Sequence, residues 1–239
     1  EDMILDRGYM PKTFGAPVFS TTHLRDVDDP PIRDQQRTNF CVRFAGCEAI
    51  RFARAKAGWP VYPLSPLFIA YDSSMPGYAG QNEGTTISTF ARAARAVGVT
   101  SEDQEPWLPS YLSDLRSRPS ADSYNVAERH RVIDDARLPD RTLDTVVAAL
   151  QEGWPVHIGR PVDQAYEDVP HDTGIYQPGG TYLGLHSTLI VDIDQVNGRW
   201  VFVERNSWST LWGMDGYCYT PIEDALKWTD CRIFRGVSS

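Results

Sequence analysis

The sequence predicts an α+β fold of two lobes, mainly helical in the first half of the chain and mainly strand in the second. Three segments, at 41–57, 85–97 and 142–152, place apolar residues at helical spacing, and each is followed directly by a glycine. Four later segments are short, rich in β-branched or aromatic residues and bounded by turn residues: WPVHIGRPV, HSTLIVDID, RWVFVER and GYCYTP. Because the two patterns are segregated along the chain, we expect helices and strands to form separate lobes.

The first predicted helix has the clearest ends. Thr38 and Asn39 precede it as candidate N-caps, and Gly58 and Pro60 follow it as stop signals. The two later helices are predicted by apolar stripes, which consist of Ile87, Phe90, Ala91, Ala94 and Val97 in one and of Leu143, Val146, Val147 and Leu150 in the other.

The predicted domain organisation has three parts. Residues 1–32 form an N-terminal extension and crossing segment, kept extended at its end by the prolines of DVDDPPI. Residues 33–122 form the helical lobe, and residues 126–239 form the β-rich lobe. The boundary is placed in RSRPSADSYN, at 116–125, because this stretch is polar and contains proline and serine.

Composition excludes several function classes. The 239 residues are 41% apolar, enough for a sizeable core, and carry a formal charge of -9. This acidity argues against a nucleic-acid-binding surface. The sequence contains no apolar run near the ~20 residues of a membrane span, no signal-peptide pattern at its start, no Cys-x-x-Cys and no His-Glu-x-x-His. We therefore predict no membrane segment, no metal and no cofactor.

Cys41 lies at the start of the first predicted helix. Taken alone, it can be a packed thiol, half of a disulfide or a nucleophile. The positive end of a helix dipole favours a thiolate, and a thiolate is a strong nucleophile beside a histidinium. A nucleophilic role therefore requires a histidine and a group that orients it.

The candidate histidine is His186, at the head of one predicted strand, and the candidate orienting residue is Asn206, just after the next strand. A hairpin between the two strands would bring these residues together. A five-residue loop centred on Val196 would place them directly opposite each other, whereas a two-residue turn at Asn197-Gly198 would place Asn206 opposite Leu189. Both registers are compatible with the pattern.

An oxyanion hole needs donors aimed at the carbonyl oxygen under attack. The backbone N–H of Cys41, at a helix start, is one candidate, and the side-chain amide of Gln35 is a second. Gln36 is the alternative if the loop differs by one residue.

These residues together resemble the papain-like cysteine peptidases. Gln35, six residues before Cys41, matches the family's oxyanion glutamine, and NSWSTLWGMDGY, at 206–217, is similar to its Asn-Ser-Trp-Gly-x-x-Trp-Gly-x-x-Gly-Tyr signature. The resemblance covers roughly residues 24–220 and is nearest to bacterial and viral branches. It implies a papain-like two-lobe fold, with a helical left lobe, a β-barrel-like right lobe and an active site in the cleft between them.

The resemblance also assigns roles. It makes Cys41 the nucleophile, His186 the general base and Asn206 its orienting partner. It gives Trp208 the task of shielding the Asn206–His186 hydrogen bond, and it implies substrate contacts for Gly84, through its backbone, and for Leu185, in the main specificity pocket. The chain departs from the family pattern at three places. Val42 replaces the Trp that follows the nucleophile, and Thr38-Asn39-Phe40 replaces the Gly-Ser-Cys that precedes it. Ser209 replaces the first glycine of the signature.

The remaining cysteines and histidines receive structural interpretations. Cys47 lies about 240° around the helix from Cys41 and is predicted to be a core thiol. Cys218 and Cys231, both in the C-terminal strand region, are equally compatible with a disulfide and with free thiols. The histidines without a partner pattern are interpreted as surface or strand residues: His23, His130, His157 and His171.

The resemblance implies a monomeric cysteine endopeptidase acting on protein or peptide substrates. Alternatives are an acyltransferase or deamidase with the same triad, and a latent or non-catalytic binding module. Residues 1–23 would either lie in the cleft and inhibit or cover the second lobe. The sparse cysteines favour a delivered effector domain in a reducing compartment, with a secreted protease as the alternative.

Overall fold

The structure, a computed structural model, describes residue 8 and residues 18–74, 82–106, 118–138 and 142–238. The helices within these ranges are α1 (Cys41–Lys56), α2 (Pro66–Asp72), α3 (Ile87–Ala96), α4 (Ala121–Ala127), α5 (Leu143–Gln151) and α6 (Gln164–Glu167). The strands are β1 (Val132–Arg137), β2 (Val156–Asp163), β3 (Tyr182–Val196), β4 (Arg199–Arg205), β5 (Tyr217–Pro221) and β6 (Asp230–Val237). Short 3₁₀ helices occupy Leu24–Asp26, Glu128–His130 and Ile222–Lys227.

The strands form one six-stranded antiparallel sheet in the order β1-β6-β2-β3-β4-β5. The α+β class is confirmed, but the sheet is open and does not close as the expected barrel, since its two edge strands, β1 and β5, are not paired with each other in the described residues. The long strand β3 lies near the middle, between β2 and β4. From this central position, β3 supports the candidate site described below.

Apolar groups cover both faces of the sheet. On one face, α1 and α3 pack through Ile50 and Phe90 against Leu189 and Phe234. On the other face, a second cluster joins α5 and the 3₁₀ helix Ile222–Lys227 to the sheet; its members include Val146, Leu150, Ile190, Phe202 and Trp228. Because both of its faces are covered, β3 is buried without alternation from His186 to Ile193, although this run contains polar residues.

The helices predicted at 41–57, 85–97 and 142–152 are confirmed as α1, α3 and α5. The predicted N-caps of α1 are wrong. Phe40 occupies that position without a side-chain cap bond, while Asn39 instead bonds with Asn82 and the Thr38 hydroxyl donates to the Gln35 carbonyl. These polar groups therefore hold the loop before α1 rather than its first turn.

The described part of the polar stretch, residues 118–125, includes the start of a helix. From Ser120, whose side chain accepts a bond from the Ser123 amide, the chain enters α4. Tyr124 of this helix packs edge-on against Phe68 of α2, with ring centroids 5.0 Å apart, and donates to Asp72. The division placed between residues 122 and 126 therefore falls inside a helix that contacts the helical part.

The end of the N-terminal segment lies against the sheet. The Thr22 amide donates to the Ile193 carbonyl over 3.0 Å, the Leu24 amide donates to Asp192 over 2.6 Å, and Phe19 stacks on Trp200. Residues 1–7 and 9–17 of the segment 1–23, which is predicted either to inhibit the cleft or to cover the second lobe, lie outside the described residues. Residues 19–24 thus lie against β3 and β4, and Leu24 also packs in the same apolar cluster as Phe52 of α1.

The four cysteines are free thiols. Cys47 is buried, as predicted. Cys218 and Cys231 are not bonded to each other, because Cys218 lies on β5 and Cys231 on β6, and three strands separate β5 from β6 in the sheet.

Candidate active site

Cys41 is the first residue of α1, where α1 meets β3. Its side chain is half-buried, and the backbone amides of Val42 and Ser187 lie where they favour its thiolate. The amide groups of a helix's first turn have no acceptor within the helix. The thiol therefore lies where N–H groups from α1 and from the residue after His186 converge.

His186 and Asn206 are joined by a hydrogen bond. His186 Nε2 lies 2.8 Å from Asn206 Oδ1, and both side chains are buried. Asn206 Oδ1 also accepts from the Ser207 amide over 2.7 Å, which fixes the amide group. Since Nε2 carries the proton of this bond, Nδ1 is the nitrogen left to act as acceptor.

Neither of the two hairpin registers considered from the sequence is fully right. The turn is the two-residue Asn197-Gly198, with both residues at positive φ. An irregularity between Ile190 and Asp192 then shifts the register by one, so that Leu189 pairs with Arg205 instead of Asn206.

An indole covers the His186–Asn206 pair. The ring centroids of Trp208 and His186 lie 4.4 Å apart with an interplanar angle of 31°. Tyr166 and Trp212 each pack edge-on against Trp208, and their rings are tilted against each other. These contacts hold the Trp208 indole in place. This arrangement keeps water from the hydrogen bond.

Gln35, rather than Gln36, lines the cleft beside Cys41. Its side-chain Nε2 donates to the Thr38 carbonyl over 2.7 Å, and its Oε1 accepts from Ser207 Oγ over 2.7 Å. Gln36 is exposed and has a φ of 53°, a left-handed conformation that turns the chain after Gln35. Ser207 was missed by sequence reasoning, although it directly follows Asn206; its hydroxyl links Gln35 to the Asn206 segment.

A cleft of about 750 Å³ opens at these residues. Gly84 and Leu185 lie on its two sides, and Leu185 is 66% exposed, available to a ligand. The other lining residues include apolar groups, Ile87, Val162 and Leu183, and, farther along, the paired Arg137 and Asp230. Six of the seven predicted site residues line this cleft; Asn206 lies behind His186.

Burial acts against charge on both Cys41 and His186. It raises the pKa of Cys41, although the Val42 and Ser187 amides and the charge of Arg43 favour the thiolate. Burial also lowers the pKa of His186 to about 4, against the Asn206 hydrogen bond and the charge of Glu204, which raise it. A thiolate–imidazolium pair at this site therefore depends on the mutual attraction of its two charges and on the neighbouring charged groups.

The other histidines have structural surroundings. His157 is a strand residue, as predicted, but a buried one; its Nε2 lies 2.8 Å from Ser187 Oγ. For His130 the prediction was wrong, because it lies buried in a 3₁₀ helix, hydrogen-bonded to Tyr62. Within the described ranges, no group of three His, Cys, Asp or Glu residues is arranged to hold a metal ion, and no helix is long and apolar enough to cross a membrane.

Comparisons with known proteins give the family and the fold of this chain. The sequence profile of the papain family cysteine proteases matches residues 22–238. An uncharacterized peptidase C1-like protein of Acanthamoeba polyphaga mimivirus is 28% identical, and the match covers 79% of this chain and 63% of the viral protein. Mouse cathepsin J is 27% identical, and the match covers 78% of this chain and 55% of the cathepsin. The chain thus spans less than two thirds of these relatives' length.

Solved structures show the same fold. Xylellain, a cysteine protease from Xylella fastidiosa, superposes with a TM-score of 0.83 at 23% identity, covering 98% of this chain and 91% of its own. The bromelain protease of Ananas comosus, solved in complex with the E64 inhibitor, has a TM-score of 0.72 at 16% identity. This match covers 92% of this chain and 99% of the bromelain chain. With the family profile spanning nearly the whole described chain, this protein belongs to the papain family of cysteine proteases.

Proposed function

We propose that this chain hydrolyses peptide bonds through a thioester intermediate formed on Cys41. The observation that carries the proposal is the 2.8 Å hydrogen bond between His186 and Asn206, with His186 lining the same cleft as Cys41. Cys41 comes from the helical lobe proposed at 33–122, and His186 and Asn206 come from the β-rich lobe proposed at 126–239. A substrate in the cleft would therefore meet the nucleophile from one side and the proton carrier from the other.

In the first step the Cys41 thiolate attacks the carbonyl carbon of the scissile bond. The negative charge moves to the carbonyl oxygen, where the Cys41 N–H and the Gln35 amide donate hydrogen bonds. Imidazolium His186 gives its proton to the leaving amine, the C–N bond breaks and a thioester remains.

In the second step neutral His186 takes a proton from a water molecule, which attacks the thioester carbonyl. The C–S bond breaks, the acid is released and Cys41 returns to the thiolate while His186 keeps the proton. Asn206 holds the imidazole ring throughout, because its Oδ1 accepts from Nε2 and leaves Nδ1 for the transfers.

The cleft favours a peptide with an apolar side chain near Leu185. Gly84 is exposed and has open space at its Cα, so a substrate backbone can approach it in extended form. Ile87 and Val162 add apolar surface to the same cleft. We propose protein or peptide substrates on this basis.

The test combines labelling with product analysis. The wild type is incubated with an epoxysuccinyl inhibitor beside Cys41→Ala, which retains buried Cys47, and intact masses are measured. We expect one adduct on the wild type and none on the variant. Both proteins then receive a peptide library, and cleavage by the wild type alone supports hydrolysis.

Other products would identify the alternatives. A crosslink to another amine indicates acyl transfer, and a gain of about one dalton indicates conversion of an amide to an acid. Cleavage by Cys41→Ala at the wild-type rate would refute the assignment of the nucleophile. A chain begun near Leu24 is tested in parallel; if only this chain labels, residues before it cover the cleft.

A further inference from the structure

Arg43 is a buried guanidinium two residues after the proposed nucleophile. Its side chain is 0% exposed. Nε donates to Ser73 Oγ over 3.1 Å, Nη1 donates to the Glu83 carbonyl over 2.7 Å, and the group lies over the Phe40 ring at 4.4 Å. All three partners are neutral groups.

No carboxylate among the described residues forms an ion pair with this guanidinium, and its Nη2 has no hydrogen-bond partner there. A buried charge is normally paired, because removing an ion from water costs several kcal/mol. Burial accordingly lowers the pKa of Arg43 to about 10, which still leaves it charged at neutral pH. The fold thus keeps an uncompensated positive charge beneath the start of α1.

Two thiols of α1 lie near this charge: Arg43 follows Cys41 by two residues, and its guanidinium lies over the ring of Phe40, which directly precedes Cys41. Burial lowers the pKa of Arg43, while Cys41 and then Cys47 raise it, and the charge of Arg43 in turn lowers the pKa of Cys41. Cys47 is fully buried and its pKa is raised by that burial, so it stays a thiol. Cys41, half-buried and open to the cleft, is the anion that Arg43 can stabilise.

The other titratable groups around the nucleophile are engaged elsewhere or face away. Asp72 at the end of α2 is bonded to Tyr124, His186 on β3 is bonded to Asn206, and the Glu83 side chain is exposed. Arg33, near the other side of α1, is paired with Glu102. Arg43 is therefore the charged side chain of the helical part that favours the Cys41 thiolate, in addition to the backbone amides of Val42 and Ser187.

We propose that Arg43 is a positioning residue whose buried positive charge favours the thiolate of Cys41. The inference rests on the proposed function, since it concerns the same nucleophile. Burial of Cys41 and His186 removes the stabilisation that water gives to their charged forms. The charge of Arg43 partly replaces it for the thiolate, because a charge in a poorly solvated site acts more strongly than one in water. Arg43 also bonds the segment before Gly84 to α1, a structural role that the test must separate from the electrostatic one.

The experiment measures the rate at which iodoacetamide, a neutral reagent, alkylates Cys41 between pH 4 and 9, with the site confirmed by peptide mass. In Arg43→Gln the charge is lost, so the thiolate forms at higher pH. We expect the acid limb of the rate profile to move up by about one pH unit and the rate at pH 6 to fall about tenfold. Arg43→Lys keeps a charge but loses the guanidinium bonds, and its acid limb should stay near that of the wild type.

Two changes at Ser73 provide an independent route. Ser73→Asp leaves Arg43 in place and gives its Nε a carboxylate partner, which should move the acid limb upward as Arg43→Gln does. Ser73→Ala removes the same hydrogen bond without adding charge and should leave the acid limb unmoved. Thermal unfolding of all four variants records the structural cost separately.

The outcomes separate the two proposals. A wild type whose Cys41 is not alkylated defeats the proposed function itself. A reactive wild type with the same acid limb in folded Arg43→Gln overturns the role of Arg43 alone, as does an equal shift in Arg43→Lys. If Arg43→Gln does not fold, an unmoved acid limb in Ser73→Asp overturns it.

Discussion

Asn206 Oδ1 accepts a hydrogen bond from His186 Nε2 over 2.8 Å, although the two residues do not stand opposite each other in the β3–β4 ladder. The irregularity between Ile190 and Asp192 shifts the register of β4 by one residue. Asn206 directly follows Arg205, the last paired residue of β4, and its side chain extends towards His186, nearer the start of β3. A diagonal contact of this kind depends on a fixed amide, which Ser207 provides through its backbone N–H.

We expect Asn206→Ala to lower kcat by about 10²-fold, corresponding to ~3 kcal/mol, while leaving measurable activity. The ring of His186 loses its orienting partner, but the nucleophile and the base remain. Steady-state kinetics beside Cys41→Ala checks this. Complete loss in Asn206→Ala, equal to that in Cys41→Ala, would contradict a purely orienting role.

Gln35 and Gln36 form a natural pair of variants. Removal of an oxyanion donor should lower kcat by about 10²- to 10³-fold with little change in KM, so we expect this for Gln35→Ala. Gln36→Ala, at an exposed position outside the cleft, should keep wild-type kcat. Because Gln35 also bonds Thr38 and Ser207, unfolding curves are measured for both variants. A larger kinetic loss in Gln36→Ala would reverse the assignment.

The variant Gly84→Ala tests whether the substrate backbone lies against Gly84. An added Cβ would meet no atom within 4 Å in the free protein, and no positive φ is required there. Gly84→Ala should therefore leave the melting temperature unchanged while lowering kcat/KM by about tenfold, because the methyl group obstructs the substrate backbone. Gly46→Ala is the contrasting variant. Its Cβ would lie 2.3 Å from the Phe90 ring, so it should destabilise the fold. Wild-type kcat/KM in Gly84→Ala would remove Gly84 from the site.

Sequence patterns were sufficient for elements whose residues repeat with a clear period. They located α1, α3 and α5, and the strands that carry His186 and precede Asn206. They missed β1 and located β6 only as part of a C-terminal strand region, because charged residues interrupt the apolar pattern of both strands. Asp135 of β1 and Arg232 of β6 are both buried and joined as an ion pair, so each satisfies the other's charge. Neither half of such a pair is recognisable as a core residue without its partner.

The sequence predicts the members of the candidate site but not the contacts that support them. Cys41, His186 and Asn206 occur in a recognisable order, and the structure bonds His186 to Asn206 and places His186 in the same cleft as Cys41. The contact of Ser207 with Gln35 joins residues 172 positions apart, and the contact of Arg43 with Glu83 joins residues 40 apart. Such contacts follow from packing and loop paths that no local pattern encodes.

Acid should destabilise this protein before its carboxylates titrate. Burial lowers the pKa of His157 to about 3 and that of His130 to about 4, from an ordinary value of 6.5. Between pH 6.5 and these values the unfolded chain binds protons that the folded chain does not. The free energy of unfolding therefore falls as the pH drops through this window and is independent of these groups above it.

Urea unfolding between pH 7.5 and 5.0 measures this loss while staying above the titration of the carboxylates. For a histidine that is neutral when folded, each pH unit below 6.5 costs about 1.4 kcal/mol, so His157 alone should account for about 2 kcal/mol at pH 5.0. His157→Gln should be less stable than the wild type at pH 7.5 but should lose about 2 kcal/mol less on acidification. His23→Gln, at an exposed position, should lose as much as the wild type. Parallel losses in His157→Gln and the wild type would show that His157 accepts a proton in the folded state, and that the hydrogen bond with Ser187 and the ring contacts with Phe90 and Phe234 do not keep it neutral.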